Sequence, residues 1–120
     1  MINKQILRGE IWLINFDPTV GAEIQKTRPG LVISSNSLGI LPLRLIAPIT
    51  AWKTDFENNI WHIRISPEKA NGLQKESAID LIQIRSLDRE RFIKRLGRVS
   101  GEILKESVYA LLSVVDYASE

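Results

Sequence analysis

Short runs of apolar and β-branched residues recur along most of the chain, each ended by proline, glycine, asparagine or aspartate. This pattern is typical of strands separated by turns. It predicts six strands, at residues 10–16, 31–33, 43–50, 60–65, 78–85 and 92–99. The first strand is apolar on both faces, with Trp12 and Ile14 on one and Ile11 on the other. It is therefore expected to be buried on both sides or to meet a partner.

The end of the chain has a helical period instead. Ser100 is a residue type that favours a helix N-cap. The apolar residues after it recur at helical spacing: Leu104, Val108, Leu111, Leu112 and Val115. Ile103 lies beside this stripe and widens it. Before the last strand, Asp88 is expected to cap a single helical turn that runs to Arg91.

These elements indicate a mainly β fold with a C-terminal helix. Short strands at spacings of roughly 10–18 residues favour a small, strongly bent antiparallel barrel over a parallel α/β sheet. No linker, repeat or low-complexity tract interrupts residues 1–120, so a single domain is expected. Apolar residues left over on the Trp12 strand and on the last helix make a homodimer the expected assembly.

Composition removes several kinds of chemistry. The 120 residues are 44% hydrophobic, which suffices for a packed core, but they include no cysteine and one histidine. Disulfides, thiolate zinc sites, iron–sulfur clusters and a cysteine nucleophile are thereby excluded. A two-histidine ribonuclease mechanism and an HExxH metal site are excluded as well. Neither a metal nor another cofactor is expected.

Nothing in the sequence predicts a membrane protein. Residues 1–8 lack the apolar run of a signal peptide. No segment reaches the ~18 uninterrupted apolar residues that span a bilayer. A soluble cytoplasmic protein with no membrane partner is therefore the expectation.

Charge is unevenly distributed, although the formal net charge is only +2. Residues 85–98 contain six basic residues against two acidic ones, whereas residues 101–120 contain one basic residue against four acidic ones. A basic stretch in a small domain favours a phosphate-bearing partner. The alternative is a solvated face with scattered arginines.

An unusually long connection joins the first two predicted strands. Residues 17–29 exceed a normal hairpin loop, and longer loops tend to be functional or disordered. Its second half gathers polar and charged residues: Glu23, Lys26, Thr27 and Arg28. Pro29 restricts Arg28 to extended backbone, which fixes the direction of the Arg28 side chain. Arg28 is therefore placed either to bind a phosphate with its planar donors or to pair with a nearby carboxylate.

Three segments around this loop are characteristic: RGEIW at residues 8–12, FDPTVGAE at 16–23 and KTRPGLVI at 26–33. Together they closely resemble the MazF/PemK family of toxin endoribonucleases. PIT at residues 48–50, QIRSLD at residues 83–88 and the closing helix follow in the order and spacing of that family. The resemblance covers residues 8–117 and is most specific in the first three segments.

The resemblance implies an SH3-like β-barrel with a C-terminal helix, working as a symmetric homodimer. It also implies cleavage of single-stranded RNA at short sequence motifs without a metal. A cognate antitoxin is implied as partner, with a disordered acidic segment that folds on binding. The essential arginine and threonine of the family correspond to Arg28 and Thr50, and the loop acid that supports them corresponds to Glu23. The basic stretch at residues 85–98 is then expected to attract either RNA or the acidic antitoxin.

Metal-independent RNA cleavage can use the 2′-hydroxyl as an internal nucleophile, so proximity is built into the substrate. Arg28 suits stabilisation of the negative charge that develops around phosphorus, because its guanidinium is planar and always charged. Thr50 can donate a hydrogen bond to a non-bridging oxygen or to the nucleophile. Arginine, with a pKa above ~12, is a poor base. Glu23 is therefore assigned either as the base or as the group that orients Arg28.

Six residues are candidates for RNA binding: Lys26, Thr27, Trp52, Lys53, Gln83 and Arg85. Gln83 and Arg85 share one face of the predicted fifth strand. They are expected to read a base edge and a phosphate, unless that face is only solvated. Trp52 is expected either to stack on a base or to lie in the core or an interface.

Two positions depart from the family pattern. Many members have serine after the loop glycine, where this chain has Ala22, so one possible contact to a phosphate or to the backbone is missing. An acid often precedes the glutamine that corresponds to Gln83, and here that residue is Ile82. Because this region contacts bases in the family, the second departure leaves cleavage specificity open but not the type of reaction.

His62, the single histidine, lies beside Arg64 on the face of the fourth strand opposite Ile63. This alternation predicts that His62 points outward, at the surface or at an interface. A catalytic role is the alternative, because histidine titrates near neutral pH.

Two other functions remain open. The related gyrase poison CcdB has the same fold but acts by binding protein through an aromatic-bearing C-terminal end, whereas residues 116–120 of this chain are acidic. A non-catalytic RNA-binding barrel would keep the basic groove and yield no cleavage products.

Overall fold

Strands dominate the fold and one helix ends it, so the mainly β class with a C-terminal helix is confirmed. The structure, a computed structural model, describes residues 4–117. Its strands and helix are β1 (Glu10–Asn15), β2 (Thr27–Val32), β3 (Leu43–Ala51), β4 (His62–Ile65), β5 (Ser77–Asp80), β6 (Arg85–Asp88), β7 (Phe92–Arg98) and α1 (Gly101–Val114). Residues 1–3 and 118–120, which belong to the two termini discussed above, lie outside the described residues. Between residues 4 and 117, no helix is long and apolar enough to cross a membrane.

All strand pairs are antiparallel and follow the order β4-β5-β3-β2-β1-β7, with β6 beside β3. The nine-residue β3 is shared between two sheets, because its first half pairs with β6 and its last residues pair with β5. A strand that serves both sheets gives the molecule the expected barrel-like shape. In the described part of the chain, the end strands β4 and β7 do not pair, so hydrogen bonds do not close the barrel.

The change of sheet occurs where the pairing of β3 with β2 ends and its pairing with β5 begins. Gly30 of β2 lies opposite Pro48 of β3, and proline lacks the N–H of an ordinary strand residue. A Cβ on Gly30 would lie 2.7 Å from Ile46 Cγ2 and 2.8 Å from Ile14 Cδ1. Core side chains therefore fill the space beside residue 30, and glycine leaves that space to them.

Two apolar clusters fill the space on the two sides of β1. The cluster beneath the helix includes Ile11, Leu31, Ile49, Ile79, Leu81 and Ala110. The other includes Trp12, Ile14, Phe16, Val32, Ile46 and Phe92. Neighbouring side chains of β1 point to opposite faces, as in any strand. The prediction that β1 is buried on both sides is thus confirmed.

The helix packs with a face that overlaps the predicted stripe at Leu104 and Leu111 and is shifted towards Ser107 and Ala110. Ser100 is the N-cap, as expected, and its Oγ accepts a hydrogen bond from Ile103 N at 3.1 Å. The helix residues that are buried or contact the cluster are Ile103, Leu104, Ser107, Ala110 and Leu111. Small side chains at two of these positions let the helix lie close to the sheets. Val115, predicted to belong to the packed stripe, is consequently 62% exposed.

The predicted fifth strand, residues 78–85, is wrong, because it forms two strands with a turn between them. Asp80 Oδ1 accepts hydrogen bonds from Ile82 N at 3.0 Å and from Gln83 N at 3.3 Å. Aspartate favours such turns because its carboxylate satisfies backbone N–H groups that follow it. Gln83 lies in this turn, so Gln83 and Arg85 do not share a strand face.

Two further boundaries can be compared with the sequence pattern. β2 begins at Thr27, so Arg28 and Pro29 lie within the strand rather than in the loop before it. Asp88 caps the short turn Arg89–Arg91, as predicted, and its side chain accepts a hydrogen bond from Glu90 N at 2.8 Å. The loop that precedes Arg28 is therefore shorter than expected.

The segment between β4 and β5 packs closely on β7. Asn71, only 2% exposed, stabilises the turn of this segment by donating to Ser66 O and accepting from Glu68 N. A Cβ on Gly97 of β7 would lie 2.3 Å from Ala70 O. The absence of a side chain at Gly97 thus fixes where the segment lies on the sheet.

Replacing Gly97 by alanine is expected to lower the free energy of unfolding by about 1–3 kcal/mol. The reason is that the new methyl group meets a backbone carbonyl, which no side-chain rotation can move away. Urea unfolding followed by circular dichroism measures the change. Gly101→Ala is the matched control, because a Cβ there meets nothing within 4 Å and alanine is favoured over glycine in helices. Equal midpoints for Gly97→Ala and the unchanged protein would contradict the close contact.

Candidate active site

Arg28 and Thr50 lie near the point where the pairing of β2 with β3 ends. The last pair of this ladder is Gly30 and Pro48, and two residues beyond it Arg28 is still on β2 while Thr50 is paired with Ala78 of β5. Both residues are partly exposed, and both line the same two grooves. The structure therefore brings two of the three predicted catalytic residues to one place.

The two grooves that share this pair differ in chemistry. The aromatic groove, of about 500 Å³, includes Phe56, Trp61 and His62 among its lining residues. The lysine groove, of about 420 Å³, includes Lys75 and Lys94. One groove thus offers flat ring surfaces beside the pair, and the other offers positive charge.

The guanidinium of Arg28 is held by the backbone. Its Nε donates to Gln25 O at 2.9 Å, and none of the ion pairs among residues 4–117 includes Arg28. The pairing of Arg28 with a nearby carboxylate, considered above, is therefore not observed. The two Nη atoms make no hydrogen bond to the described residues, which leaves both free to donate to a phosphate.

Glu23 lies in a third groove, the loop groove, which has a volume of about 430 Å³. Its Oε1 accepts a hydrogen bond from Val20 N at 2.7 Å. The structure thus does not bring this carboxylate against Arg28. The assignment of Glu23 as base or as orienting group stays a prediction.

Gln83 and Arg85 also line the loop groove, and both bind the loop that precedes β2. Gln83 Oε1 accepts from Ile24 N at 2.6 Å, and Gln83 Nε2 donates to Ala22 O at 3.4 Å. Arg85 Nη1 donates to Phe16 O at 3.1 Å. The two side chains therefore hold the loop in place, and their proposed contacts with a base and a phosphate stay predictions.

The other predicted RNA-binding residues lie in separate places. Lys26 is exposed at the foot of the loop with a positive φ of 72°. Thr27 lines the lysine groove, and Lys53 lines the aromatic groove. Trp52 lines none of the three grooves, and the guanidinium carbon of Arg64 lies 4.9 Å from the centre of its ring. Arg64 thus occupies one face of Trp52 that a base would otherwise use.

His62 is buried, which corrects the expectation that it points outward. Its side chain is 6% exposed, and its Nε2 lies 3.6 Å from Oδ2 of Asp80, whose side chain is 7% exposed. The two residues lie opposite each other on β4 and β5. Phe56 stacks on the imidazole with 3.8 Å between ring centroids. A charged neighbour on the next strand and an aromatic cover, neither visible in the alternation of β4, explain the difference.

The ionisation of His62 follows from this environment. Burial lowers the pKa of His62 below its ordinary value of 6.5, although the charge and hydrogen bonding of Asp80 act in the opposite direction. Nδ1 lies 3.2 Å from Asn59 Nδ2. With an amide donor facing Nδ1, the ring proton is placed on Nε2, towards Asp80. The imidazole is therefore neutral at pH 7 and forms part of the wall of the aromatic groove.

Sequence reasoning missed the pair of His62 and Asp80. A signal was present in β5, because Asp80 follows buried apolar residues in a short strand. A buried carboxylate requires a partner. Identifying that partner needs the register between β4 and β5, which the hydrophobic pattern does not specify.

The comparisons with known proteins cover almost the whole chain. Residues 7–115 match the family described as PemK-like, MazF-like toxin of type II toxin–antitoxin system. The chain belongs to this family. Arg28, Thr50 and Glu23 all lie within the matched range, so the resemblance noted around the loop is confirmed at the level of the family.

Individual relatives agree with this membership. The Escherichia coli endoribonuclease toxin ChpB is 31% identical over 119 residues, which are 97% of this chain and 100% of ChpB. The Mycobacterium tuberculosis endoribonuclease MazF9 is 31% identical over 114 residues, which are 87% of this chain and 91% of MazF9. The crystal structure of MazF from Deinococcus radiodurans has a TM-score of 0.79 at 24% identity and covers 95% of this chain and 99% of that one. The barrel-like toxin fold is thereby confirmed.

The stability of the fold is expected to fall as the pH drops below about 6.5, because the unfolded chain takes up a proton on His62 more readily than the folded chain does. The loss begins at the pKa of the unfolded state and levels off below the lowered pKa of the folded state. Urea midpoints at pH 7.5 and pH 5.5 measure it. In His62→Gln, which cannot titrate, the midpoint is expected to change less between these two values. An equal or larger change in that variant would show that His62 does not cause the loss.

Proposed function

We propose that this chain is the toxin of a type II toxin–antitoxin pair and acts as an endoribonuclease on single-stranded RNA without a metal. The observation that carries the proposal is the position of Arg28 and Thr50, side by side where two grooves meet. The family of the chain and the endoribonuclease names of its relatives support the same reading.

The reaction begins with attack of the ribose 2′-oxygen on the adjacent phosphorus. The bond to the departing 5′-oxygen breaks, which leaves a 2′,3′-cyclic phosphate on one product and a 5′-hydroxyl on the other. One proton leaves the 2′-hydroxyl and one reaches the departing oxygen. Because the nucleophile belongs to the substrate, the protein has to hold the RNA in line and stabilise the developing charge.

Arg28 provides the charge stabilisation. Its Nε is bound to Gln25 O, so the fork of Nη donors is oriented before substrate arrives, and little conformational entropy is lost when a phosphate binds. The hydroxyl of Thr50, which lines the same grooves, donates to a non-bridging oxygen or to the nucleophile. The aromatic groove beside them offers Trp61 as a surface for a base.

Proton transfer is the less complete part of the mechanism. Glu23 accepts from Val20 N and lies in the loop groove, so it serves as base only after a movement of the loop or through a water molecule. Orientation of the loop that leads to Arg28 requires no such movement. We therefore favour the orienting role for Glu23.

The proposed function also implies a cellular location, an oligomeric state and a protein partner. We assign the chain to the cytoplasm, where its RNA substrate is made, and to a homodimer. Exposed apolar side chains support the dimer, among them Ile93 at 53%, Tyr109 at 57% and Val115 at 62% exposure. The cognate antitoxin binds through an acidic segment attracted to the basic residues of the toxin.

Two rival functions, a gyrase poison and a non-catalytic RNA-binding barrel, can be distinguished from the proposed endoribonuclease. The gyrase poison has the same fold, but the family match and the pair of Arg28 and Thr50 support a ribonuclease. A non-catalytic RNA-binding barrel would bind RNA and leave it intact. Analysis of the RNA ends after incubation distinguishes this barrel from the nuclease.

Arg28→Ala is expected to reduce kcat by about 100- to 1000-fold, the usual effect of removing one donor that stabilises transition-state charge. Thr50→Val keeps the shape of the side chain, removes its hydroxyl and is expected to lower kcat by a smaller factor. Primer extension on a long RNA in EDTA measures cleavage and locates the cut sites together. Arg8→Ala is the control, because Arg8 is exposed and lines none of the three grooves. Wild-type rates for Arg28→Ala and Thr50→Val would refute the site.

Glu23→Gln separates the two roles of the loop acid. If Glu23 orients the loop, glutamine keeps an oxygen that accepts from Val20 N, and the acidic limb of the pH–rate profile stays unchanged. If Glu23 is the base, that limb disappears and kcat falls by about 100-fold or more. We expect the first result, measured as kcat against pH on an RNA that spans a mapped cut site.

A further inference from the structure

The lysine groove contains charge that the mechanism above does not use. Lys75 and Lys94 line it together with Arg28, and none of its lining residues is acidic. Thr27, Gln74 and Ser77 add neutral hydrogen-bonding groups. The groove is therefore a positively charged channel that begins at the proposed position of the scissile phosphate.

Strand register places Lys94 on the floor of this groove. Lys94 of β7 lies opposite Leu13 of β1, and Leu13 in turn lies opposite Pro29 of β2. Directly opposed residues in neighbouring strands project from the same face of a sheet. Lys94 thus stands two strands away from Pro29 on the same face of the sheet, and both residues line the lysine groove together with Arg28.

Lys75 reaches the groove from the other side. It lies in the segment between β4 and β5, which packs against Gly97 of β7 because no Cβ occupies the space there. Gly72 makes the matching contact, since a Cβ at that residue would lie 2.2 Å from Leu96 O. The two close approaches hold Lys75 over the sheet, so that it faces the same channel as Lys94.

Neither lysine is neutralised by the protein. In the described range, the basic side chains within 4.0 Å of a carboxylate are Arg64, Arg95 and His62, whose imidazole is neutral at pH 7. Arg95 adjoins Lys94 in sequence and is paired with the buried Glu10 at 2.9 Å. Lys75 and Lys94 have no carboxylate within 4.0 Å among residues 4–117, which leaves three like charges around one channel.

We propose that the lysine groove binds the RNA backbone on one side of the cleaved bond, with Lys75 and Lys94 contacting one phosphate each. This inference rests on the proposed function and extends it to substrate binding beyond the reacting phosphate. A strand whose cleaved phosphate lies against Arg28 must continue in both directions. On one side of the cleaved bond, bases stack in the aromatic groove. On the other side, the lysine groove binds phosphates independently of the base sequence.

The first test compares the double variant Lys75→Ala/Lys94→Ala with the unchanged protein on an RNA oligonucleotide that spans a mapped cut site. KM is expected to rise about 5- to 20-fold, because two charge contacts are lost, while kcat stays within about twofold. The slope of log(kcat/KM) against log salt is expected to become shallower by about 1.4, since each single-strand phosphate contact contributes about 0.7. Lys105→Ala, an exposed lysine on the helix, is the matched control and leaves both quantities unchanged.

The second test shortens the RNA on its 5′ side or on its 3′ side of the cut. Removing the side that lies in the lysine groove is expected to raise KM for the unchanged protein and to have no further effect on the double variant. Removing the other side raises KM equally for both proteins. The side of the RNA whose removal raises KM only for the unchanged protein is the side that lies in the lysine groove. The comparison follows the logic of a double-mutant cycle.

An unchanged KM and salt slope in a folded double variant, with cleavage intact, would overturn the inference and leave the proposed function standing. Absence of cleavage by the unchanged protein would instead overturn the proposed function. Unchanged RNA kinetics with weaker binding of a fluorescent poly-glutamate peptide would assign the groove to an acidic protein segment and reject the RNA assignment. If light scattering shows that the double variant has a different oligomeric state from the unchanged protein, the groove lies in a subunit interface and the RNA assignment is also rejected.

Discussion

The end of the β2–β3 pairing at Gly30 and Pro48 is the constraint on which the site depends. Proline does not donate a ladder hydrogen bond, and glycine presents no Cβ to the crowded space between Ile14 and Ile46. Beyond this pair, β3 leaves β2 and pairs with β5 within its nine residues. Thr50 thereby joins β5 while Arg28 stays on β2, and both line the same two grooves. The two residues are neighbours because of the course of the backbone.

Most strands and the helix could be predicted because their hydrophobic periods are strong. β1, β3, β7 and the cap at Ser100 lie where the pattern places them. The predicted fifth strand was wrong because an Asx turn at Asp80 depends on one side chain and leaves the run of apolar residues uninterrupted. The packed face of the helix was predicted in part: Leu104 and Leu111 contact the core. The buried Ser107 and Ala110 were missed, because small residues carry little hydrophobic signal.

The candidate site could also be predicted only in part. Arg28 and Thr50 were identified from the resemblance of their segments to the family, and the fold brings both to the same two grooves. The contact of His62 with Asp80 depends on the register between β4 and β5, which is a property of the assembled sheet. The hold of Gln83 on the loop joins residues 59 positions apart in the chain. Sequence patterns thus identify candidate residues within short segments. The residues that line the grooves around them come from distant segments, and their contacts depend on the folded structure.

Arg28 stands on a paired strand, opposite Ile14 of β1, and its guanidinium is tied to Gln25 O. The sheet fixes this residue before any RNA arrives. Because Arg28 belongs to the ladder between β1 and β2, a substitution that loosens this ladder displaces its side chain as well as destabilising the sheet. The stability of the fold and the geometry of the candidate site are therefore coupled at this residue.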